Sequence, residues 1–386
     1  MSFFKSKPSS FVGVDIGASG IKVAELTREK GRSRLMTYGY TERRASDPVV
    51  SPLDNPAGTG AQLARLLKEA DVRSKHAMTA LPSSSVFSAI VTVPKRPTEK
   101  ELRPYVDAEA AKLSPIPLAD MVTYAKAIDP LGGAGGGRRS GGAGSGSAGE
   151  AGGKVVGDPL ALLKGEARKP GYVRVLVTGA ARTMVDAYVQ IFAAAGLQLE
   201  AIDTESFAVI RSLVGLDRSA VCLVDFGFNR TTITLSEKQL PMMVRTINIG
   251  GQAVTRRIME QMKVDEDRAE QMKRDLSLSG EEVAMPPFLE SVYQPLVHEI
   301  RYSLSLYSNM EAADVKTVDK IILTGGSSVL PFAVEYMTKA LNINVYLGDP
   351  WARVAYPADL RSSLDEIGPR LSVAVGLAMR EPEEKK

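Results

Sequence analysis

A two-domain α/β fold built on a repeated strand–turn–strand device is predicted by three stretches of this 386-residue chain. Phe11 to Val23 (FVGVDIGASGIKV) and Ser219 to Leu235 (SAVCLVDFGFNRTTITL) share one design. Each has an apolar, β-branched strand, an Asp-x-Gly step, a small polar turn and a second strand. Lys320 to Leu330 (KIILTGGSSVL) is the third, a buried strand halted by two glycines and leading toward a helix. An internal duplication of this kind implies two similar α/β domains that face each other.

The first turn carries chemistry. Asp15 stands near the end of its strand, and Gly17-Ala18-Ser19-Gly20 reverses the chain. A tight Gly/Ser turn exposes several backbone N–H groups close together, an arrangement that binds phosphate. Lys22 follows the turn, within reach of the same phosphate, and Asp15 is suited to hold an accompanying Mg²⁺ through waters. The plainer reading is a β-hairpin with a half-buried Asp, and the turn alone does not choose between the two. The repeat at Asp225 favours the ligand site. At the third stretch, Gly325-Gly326 lets backbone approach a ligand closely, and a helix N-terminus there would favour polar or anionic groups.

Composition narrows the class. An apolar content of 44% over this length supports more than one core. A net charge of +3 gives no nucleic-acid footprint. The single cysteine, Cys222, excludes an intrachain disulfide and fits a reducing compartment. His76 and His298 stand far apart without cysteine neighbours, which gives little support to a zinc site or a triad. No stretch approaches the ~20 apolar residues of a membrane span, and the N-terminus lacks the apolar region of a signal peptide. A cytoplasmic, soluble protein is expected.

Along the chain, Arg34 to Tyr40 supplies a third antiparallel strand, and Leu63, Leu66, Leu67 and Ala70 line one face of a helix. A strand over 86–93 leads to a helix over 98–113, opened by a Thr98/Glu101 capping box. Pro104 is expected to kink or shorten that helix. Residues 130–170 are an insertion in which more than half of positions 132–153 are glycine and the rest of those mostly Ala, Ser and Arg, and they are expected to be a disordered loop within a domain. Strands are predicted over 173–180 and 199–203, and a helix from Thr204 to about Val214. Gly250-Gly251-Gln252 opens a helix, and the charged stretch that follows contains Glu270-Gln271-Met272-Lys273-Arg274, facing either a cleft or solvent. Ser372 to Met379 is a small-residue helix suited to tight packing.

Singly these motifs are weak, but their order resembles that of the superfamily of actin, sugar kinases and heat-shock ATPase chaperones. VDIGASGIKVAEL, KLSPIPLADMVTYA, AGLQLEAIDTESFAVIRSL, INIGGQAVT and ILTGGSSVLPFAVEYM further resemble the PilM family, actin-like cytoplasmic components of type IV pilus assembly related to FtsA. The resemblance covers nearly the whole chain except the glycine-rich insertion. It implies an actin-like ATPase fold, with two duplicated RNase H-like domains and an FtsA-type extra subdomain. Domain I would comprise 1–82, 198–216 and 361–386, and the extra subdomain 83–197. Domain II would comprise 217–248 and 314–360, with a helical subdomain over 249–313.

By position, the resemblance assigns Gly17, Ala18, Ser19, Gly20 and Lys22 to the β- and γ-phosphates of ATP. It assigns Asp15 and Asp225 to Mg²⁺ from opposite sides of the cleft, and Gly227, Asn229 and Thr231 to a second phosphate turn. Glu270 and Lys273 would contact ribose and adenine, with Gly325, Gly326 and Ser327 approaching the adenosine. Related second turns often carry glycine or a hydroxyl where Asn229 and Arg230 stand here; Arg230 either meets a phosphate or points to solvent. A groove beside the extra subdomain, near the strand 86–93 and the helix 98–113, would take the cytoplasmic N-terminal segment of PilN. Contacts with other inner-membrane platform proteins, with motor ATPases or with further copies of the chain are compatible with it; a nucleic acid partner is not implied.

The resulting expectation is an ATP-binding scaffold with at most slow ATPase activity, cytoplasmic and held peripheral to the inner membrane by its partners, serving pili of the kind that drive twitching. The alternatives are a sugar-type kinase, for which a carboxylate base beside an acceptor pocket is missing from the sequence, and an FtsA-like filament former. The latter usually ends in an amphipathic membrane helix, where this chain reads Glu-Pro-Glu-Glu-Lys-Lys.

Overall fold

The computed structural model describes residues 10–29, 31–43, 51–128, 171–278 and 285–380. The expectations for 130–170 and for both termini lie outside these residues. The chain opens with β1 (Ser10–Gly17), β2 (Gly20–Glu29), β3 (Arg32–Tyr40), α1 (Pro56–Glu69), β4 (His76–Leu81) and β5 (Phe87–Pro94). Next come α2 (Glu99–Leu113), β6 (Met121–Ala127), β7 (Tyr172–Ala181), α3 (Arg182–Ala194), β8 (Gln198–Thr204) and α4 (Glu205–Val209). The second half contains β9 (Val221–Phe226), β10 (Thr231–Glu237), β11 (Leu240–Ile247), α5 (Gly251–Met262), α6 (Glu266–Leu278) and α7 (Pro287–Ser308). It closes with β12 (Lys320–Thr324), α8 (Ala333–Leu341), β13 (Val345–Leu347), β14 (Val354–Ala355) and α9 (Arg361–Ala378).

Two compact units result, one of Met1–Val86, Ala180–Asn309 and Val315–Lys386, the other of Phe87–Gly179 with Met310–Asp314. The larger unit holds two sheets, ordered β14-β3-β2-β1-β4-β8 and β11-β10-β9-β12-β13. Apart from β14, the second sheet repeats the first. In each, two antiparallel pairings (β3·β2 and β2·β1; β11·β10 and β10·β9) are followed by two parallel ones (β1·β4 and β4·β8; β9·β12 and β12·β13). The duplication read from the two Asp-x-Gly stretches is therefore a duplication of topology, and the fold is α/β and actin-like.

The central strands are apolar without alternation because both of their faces are covered. On one side of β1, Val12, Val14 and Ile16 pack with Leu63 and Leu66 of α1 and Tyr188, Ile191 and Phe192 of α3. On the other side lies α9, whose Ala374, Val375 and Ala378 meet Ala24 and Leu26, and whose Val373 and Leu377 meet Met78 and Ala80. The small residues of α9 let it come close: a Cβ on Gly13 would run into the Ala374 carbonyl oxygen. Gly13→Ala is expected to cost about 1–3 kcal/mol through overpacking, measured as a lower urea midpoint; an unchanged midpoint would mean that α9 is free to shift.

The smaller unit is a three-stranded sheet, β5-β7-β6, with α2 on it. Val91, Val93, Leu102, Val106 and Ala110 share its core with Val173, Val175 and Val177. β6 and β7 are neighbours in the sheet, so the long insertion joins adjacent strands. The Thr98 hydroxyl accepts from the Glu101 N–H and donates to its carboxylate, the predicted capping box.

Four expectations need correction. α2 runs unbroken through Pro104, which stands on its exposed face, where the carbonyl one turn back can meet water. The helix after β8 is α for one turn only and continues as a π turn over Ile210–Val214. The chain after Gly325-Gly326 turns irregularly and becomes helical only at Ala333, so no helix N-terminus faces a ligand at the glycines. Finally, the smaller unit ends at Gly179, not at 197, because the apolar face of α3 packs into the core beside α1. Among the described residues, no helix is long and apolar enough to cross a membrane.

Candidate nucleotide site

The first hairpin sets Asp15 opposite Lys22, with Ala18 and Ser19 as its two-residue loop. The register brings the two side chains onto one face, where Lys22 Nζ lies 3.0 Å from Asp15 Oδ2. Asp15 is 8% exposed, and the ammonium is the partner that a buried carboxylate needs. A Cβ on Gly17 would stand 2.9 Å from Lys22 Nζ, so the glycine leaves room for the lysine. Gly20 has φ +137°, a backbone favoured by glycine, and a Cβ there would clash with the Thr41 carbonyl. The turn is held from behind, because Arg43 N–H donates to the Ser19 carbonyl at 3.0 Å.

The second turn, 227–230, is closed by Gly227 N–H donating to the Arg230 carbonyl at 3.0 Å. Its carbonyls then cap α5: Gly251 N–H donates to Gly227 and Gln252 N–H to Phe228, at 3.0 and 2.8 Å. The Gly227 carbonyl also accepts from Ser327 Oγ at 2.9 Å, and Ser327 N–H donates to Phe226. Gly325, at φ +89°, brings the third turn directly onto Asp225; a Cβ there would collide with the carboxylate. Three segments distant in sequence are thus knotted around the end of β9. The side chains of Thr231 and Ser327 are spent on this knot, since Thr231 Oγ1 donates to the Ile249 carbonyl at 2.6 Å. Both shape the turn and do not present hydroxyls to a ligand. Asn229 stands half-buried within the turn and Gly326 is exposed beside Arg370.

At the centre of this arrangement is a carboxylate the sequence reading passed over. Glu205 opens α4 after the N-cap Thr204. Its Oε2 accepts from the Ser83 N–H at 2.8 Å and its Oε1 from Arg230 Nη2 at 3.2 Å. Arg230 Nη1 donates to Ser84 Oγ at 3.2 Å. Glu205 and Asp225 line a common cavity of about 10 Å³ with Thr232 and Thr234, room for about one water. Burial, and then the charge of Asp15 against the relief from Arg230, pushes the Glu205 carboxyl up. Asp225 is pushed up to about 7, chiefly by burial and then by Glu205 and Asp15, with Lys22 and Arg230 pulling it down. Three acids and two cations thus share one region. The signal for Glu205 was present in Asp203-Thr204-Glu205, a third acidic strand end entering a helix.

Glu270 and Lys273 come together, 2.6 Å apart, one turn along α6. Thr255 of α5 joins them, its hydroxyl bonded to the Glu270 carboxylate and accepting from Lys273 Nζ at 2.8 Å. Burial lowers the Lys273 ammonium below its ordinary range, and Glu270 acts against that. At the rim, Glu42 accepts from Arg370 at 2.6 Å and pairs with Arg274 at 3.2 Å. Arg43 lies 3.6 Å from Glu266, its guanidinium 4.9 Å from the centre of the Phe228 ring. Burial alone would raise Glu42, but Arg370 and Arg274 hold its carboxyl below the usual range.

Among the described residues, no group of three or more such side chains converges to hold a metal directly. Mg²⁺ keeps most of its waters and takes one or two carboxylates, and Asp15 and Asp225 are the pair that would serve it here. The ionisation of Asp225 is opposed, after burial, by two neighbouring acids, an arrangement with which a bound divalent cation would be compatible.

The sequence matches the family described as type IV pilus assembly protein PilM over residues 13–128 and 160–382. The chain belongs to the PilM family. Among solved structures, this PilM-family chain is similar to a "PilM-PilN type IV pilus biogenesis complex", at 24% identity and a TM-score of 0.74, over 96% of this chain and 97% of that one. It is similar also to the ethanolamine utilization protein EutJ from Carboxydothermus hydrogenoformans, at 16% identity and a TM-score of 0.51, over 97% and 90%.

Proposed function

We propose that this PilM-family protein is an ATP-binding, actin-like scaffold of the type IV pilus inner-membrane platform, which binds the cytoplasmic N-terminal segment of PilN and changes its partner contacts with nucleotide state. One observation carries the nucleotide reading: the Asp15–Lys22 pair and Asp225, an acid held up to about 7, are each presented by a glycine turn in the duplicated topology. Membership of the pilus assembly family and the fold shared with the PilM–PilN complex support the partner.

In this reading the hairpin amides and Lys22 bind the terminal phosphates, and Lys22 exchanges part of its bond to Asp15 for them. Asp15 and Asp225 are the residues that would hold Mg²⁺, whose charge would offset that of the phosphates. Glu270, Lys273 and Thr255 face the nucleoside. Nucleotide then acts by favouring one of two conformations with different partner affinity. The protein would sit in the cytoplasm, peripheral to the membrane through PilN.

The test is calorimetry with a synthetic peptide of the PilN N-terminal segment, with and without Mg·ATP. Saturable binding of both ligands, with the peptide affinity altered several-fold by ATP, is the expected result. Peptide binding that ignores ATP would remove the coupling, and no heat from Mg·ATP would remove the nucleotide.

A further inference from the structure

We propose that Arg230 is a brake on hydrolysis: it commits the Glu205 carboxylate to a bond across the acidic centre and so keeps this site a holder of nucleotide. The inference rests on the nucleotide reading of the same cleft. Both oxygens of Glu205 are already engaged, Oε2 by the Ser83 N–H at 2.8 Å and Oε1 by Arg230 Nη2 at 3.2 Å. Ser83 belongs to backbone that cannot swing away without unwinding the turn after β4. Arg230 is the removable partner, a long side chain 27% exposed that is also tied to Ser84 Oγ. It is rooted in the second turn, whose shape is fixed by the Gly227–Arg230 bond and by α5, so the guanidinium is aimed at Glu205 by the backbone.

Glu205 is the acid placed to serve an incoming water. It lines the small cavity that also touches Asp225, and, second to burial, its charge raises both Asp225 and the buried Tyr188. In hydrolysis the water oxygen forms a bond to the γ-phosphorus. The bond from that phosphorus to the β–γ bridging oxygen breaks, with its electron pair leaving on the diphosphate. The water proton passes to a carboxylate oxygen and from there to solvent. A carboxylate pinned by two donors, one of them a guanidinium, keeps lone pairs but is a weaker base toward such a water and cannot turn to meet it. Removing the arginine would free Oε1. Arg230 is a positioning residue here, acting through Glu205.

The experiment measures phosphate release at saturating Mg·ATP and, separately, ATP affinity by calorimetry. Arg230→Ala is expected to raise the turnover rate by about tenfold, with the dissociation constant changed less than about threefold. Arg230→Lys, whose single ammonium satisfies one partner at a time, should fall between, and serves in place of the alanine variant if that one does not fold. Adding Glu205→Gln to Arg230→Ala should return the rate to the wild-type level or below. An unchanged or lower rate at unchanged affinity overturns the brake and leaves the nucleotide site standing. An affinity loss of more than about tenfold makes Arg230 a phosphate ligand and also overturns it. A wild-type protein that binds no ATP overturns the reading of the site, and the brake with it.

Discussion

Asp225→Asn is expected to make the nucleotide-free protein more stable at neutral pH while abolishing its stabilisation by Mg·ATP. The carboxyl is raised from 3.8 to about 7 in the folded state, mainly by burial and then by Glu205 and Asp15. A raised acid binds its proton more tightly when folded, so no penalty exists below about pH 4. The penalty grows as pH rises from about 4 to about 7 and is complete above that. Its ceiling is ~4 kcal/mol, and some solvent access at the end of β9 reduces it to about 2–3 kcal/mol. The asparagine variant removes the penalty, so its thermal midpoint should exceed the wild type's at pH 8, and the two should converge toward pH 4. Addition of Mg·ATP should then raise the midpoint of the wild type alone. A variant less stable than wild type at pH 8 would show that Asp225 is a satisfied structural acid.

Lys22→Ala is expected to weaken Mg·ATP binding by about 10- to 100-fold, the worth of one or two hydrogen bonds from a charged donor. The same change leaves Asp15 with a buried, unpaired charge, which costs stability in its own right. Pairing it with Asp15→Asn restores neutrality and separates the two effects. The double variant should fold nearly as well as wild type by urea denaturation, yet bind no better than the single variant by calorimetry. Unchanged affinity in Lys22→Ala would remove the first turn from the site.

The features legible in the sequence were those written in contiguous residues. Both Asp-x-Gly hairpins, the capping box at Thr98 and the apolar face of α1 each depend on neighbours within a few positions. The topological duplication followed from matching hairpins alone. What escaped was set by partners far along the chain. Thr231 and Ser327 read as ligand hydroxyls, because nothing local shows that Ile249 and Gly227 take their bonds. Glu205 was hidden because its importance comes from Arg230, Ser83 and Asp225, which only the fold gathers around it. Pro104 misled for the opposite reason: its local rule was right, but the exposed face made the lost hydrogen bond cheap.

The rim and the floor of the site are built at different strengths. Glu42 and Arg274 join the end of β3 to α6 by an ion pair open to solvent, and Arg43, mostly buried itself, reaches the half-exposed Glu266 of the same helix. Pairs of that kind are each worth about 0.2–1 kcal/mol. Two of them together make parting the rim cost only about 0.4–2 kcal/mol. The knot of backbone bonds among Gly227, Gly251 and Ser327 opens only with the core. The mouth of the site therefore parts at a far lower cost than its base, where buried strand ends and backbone bonds hold the three turns together.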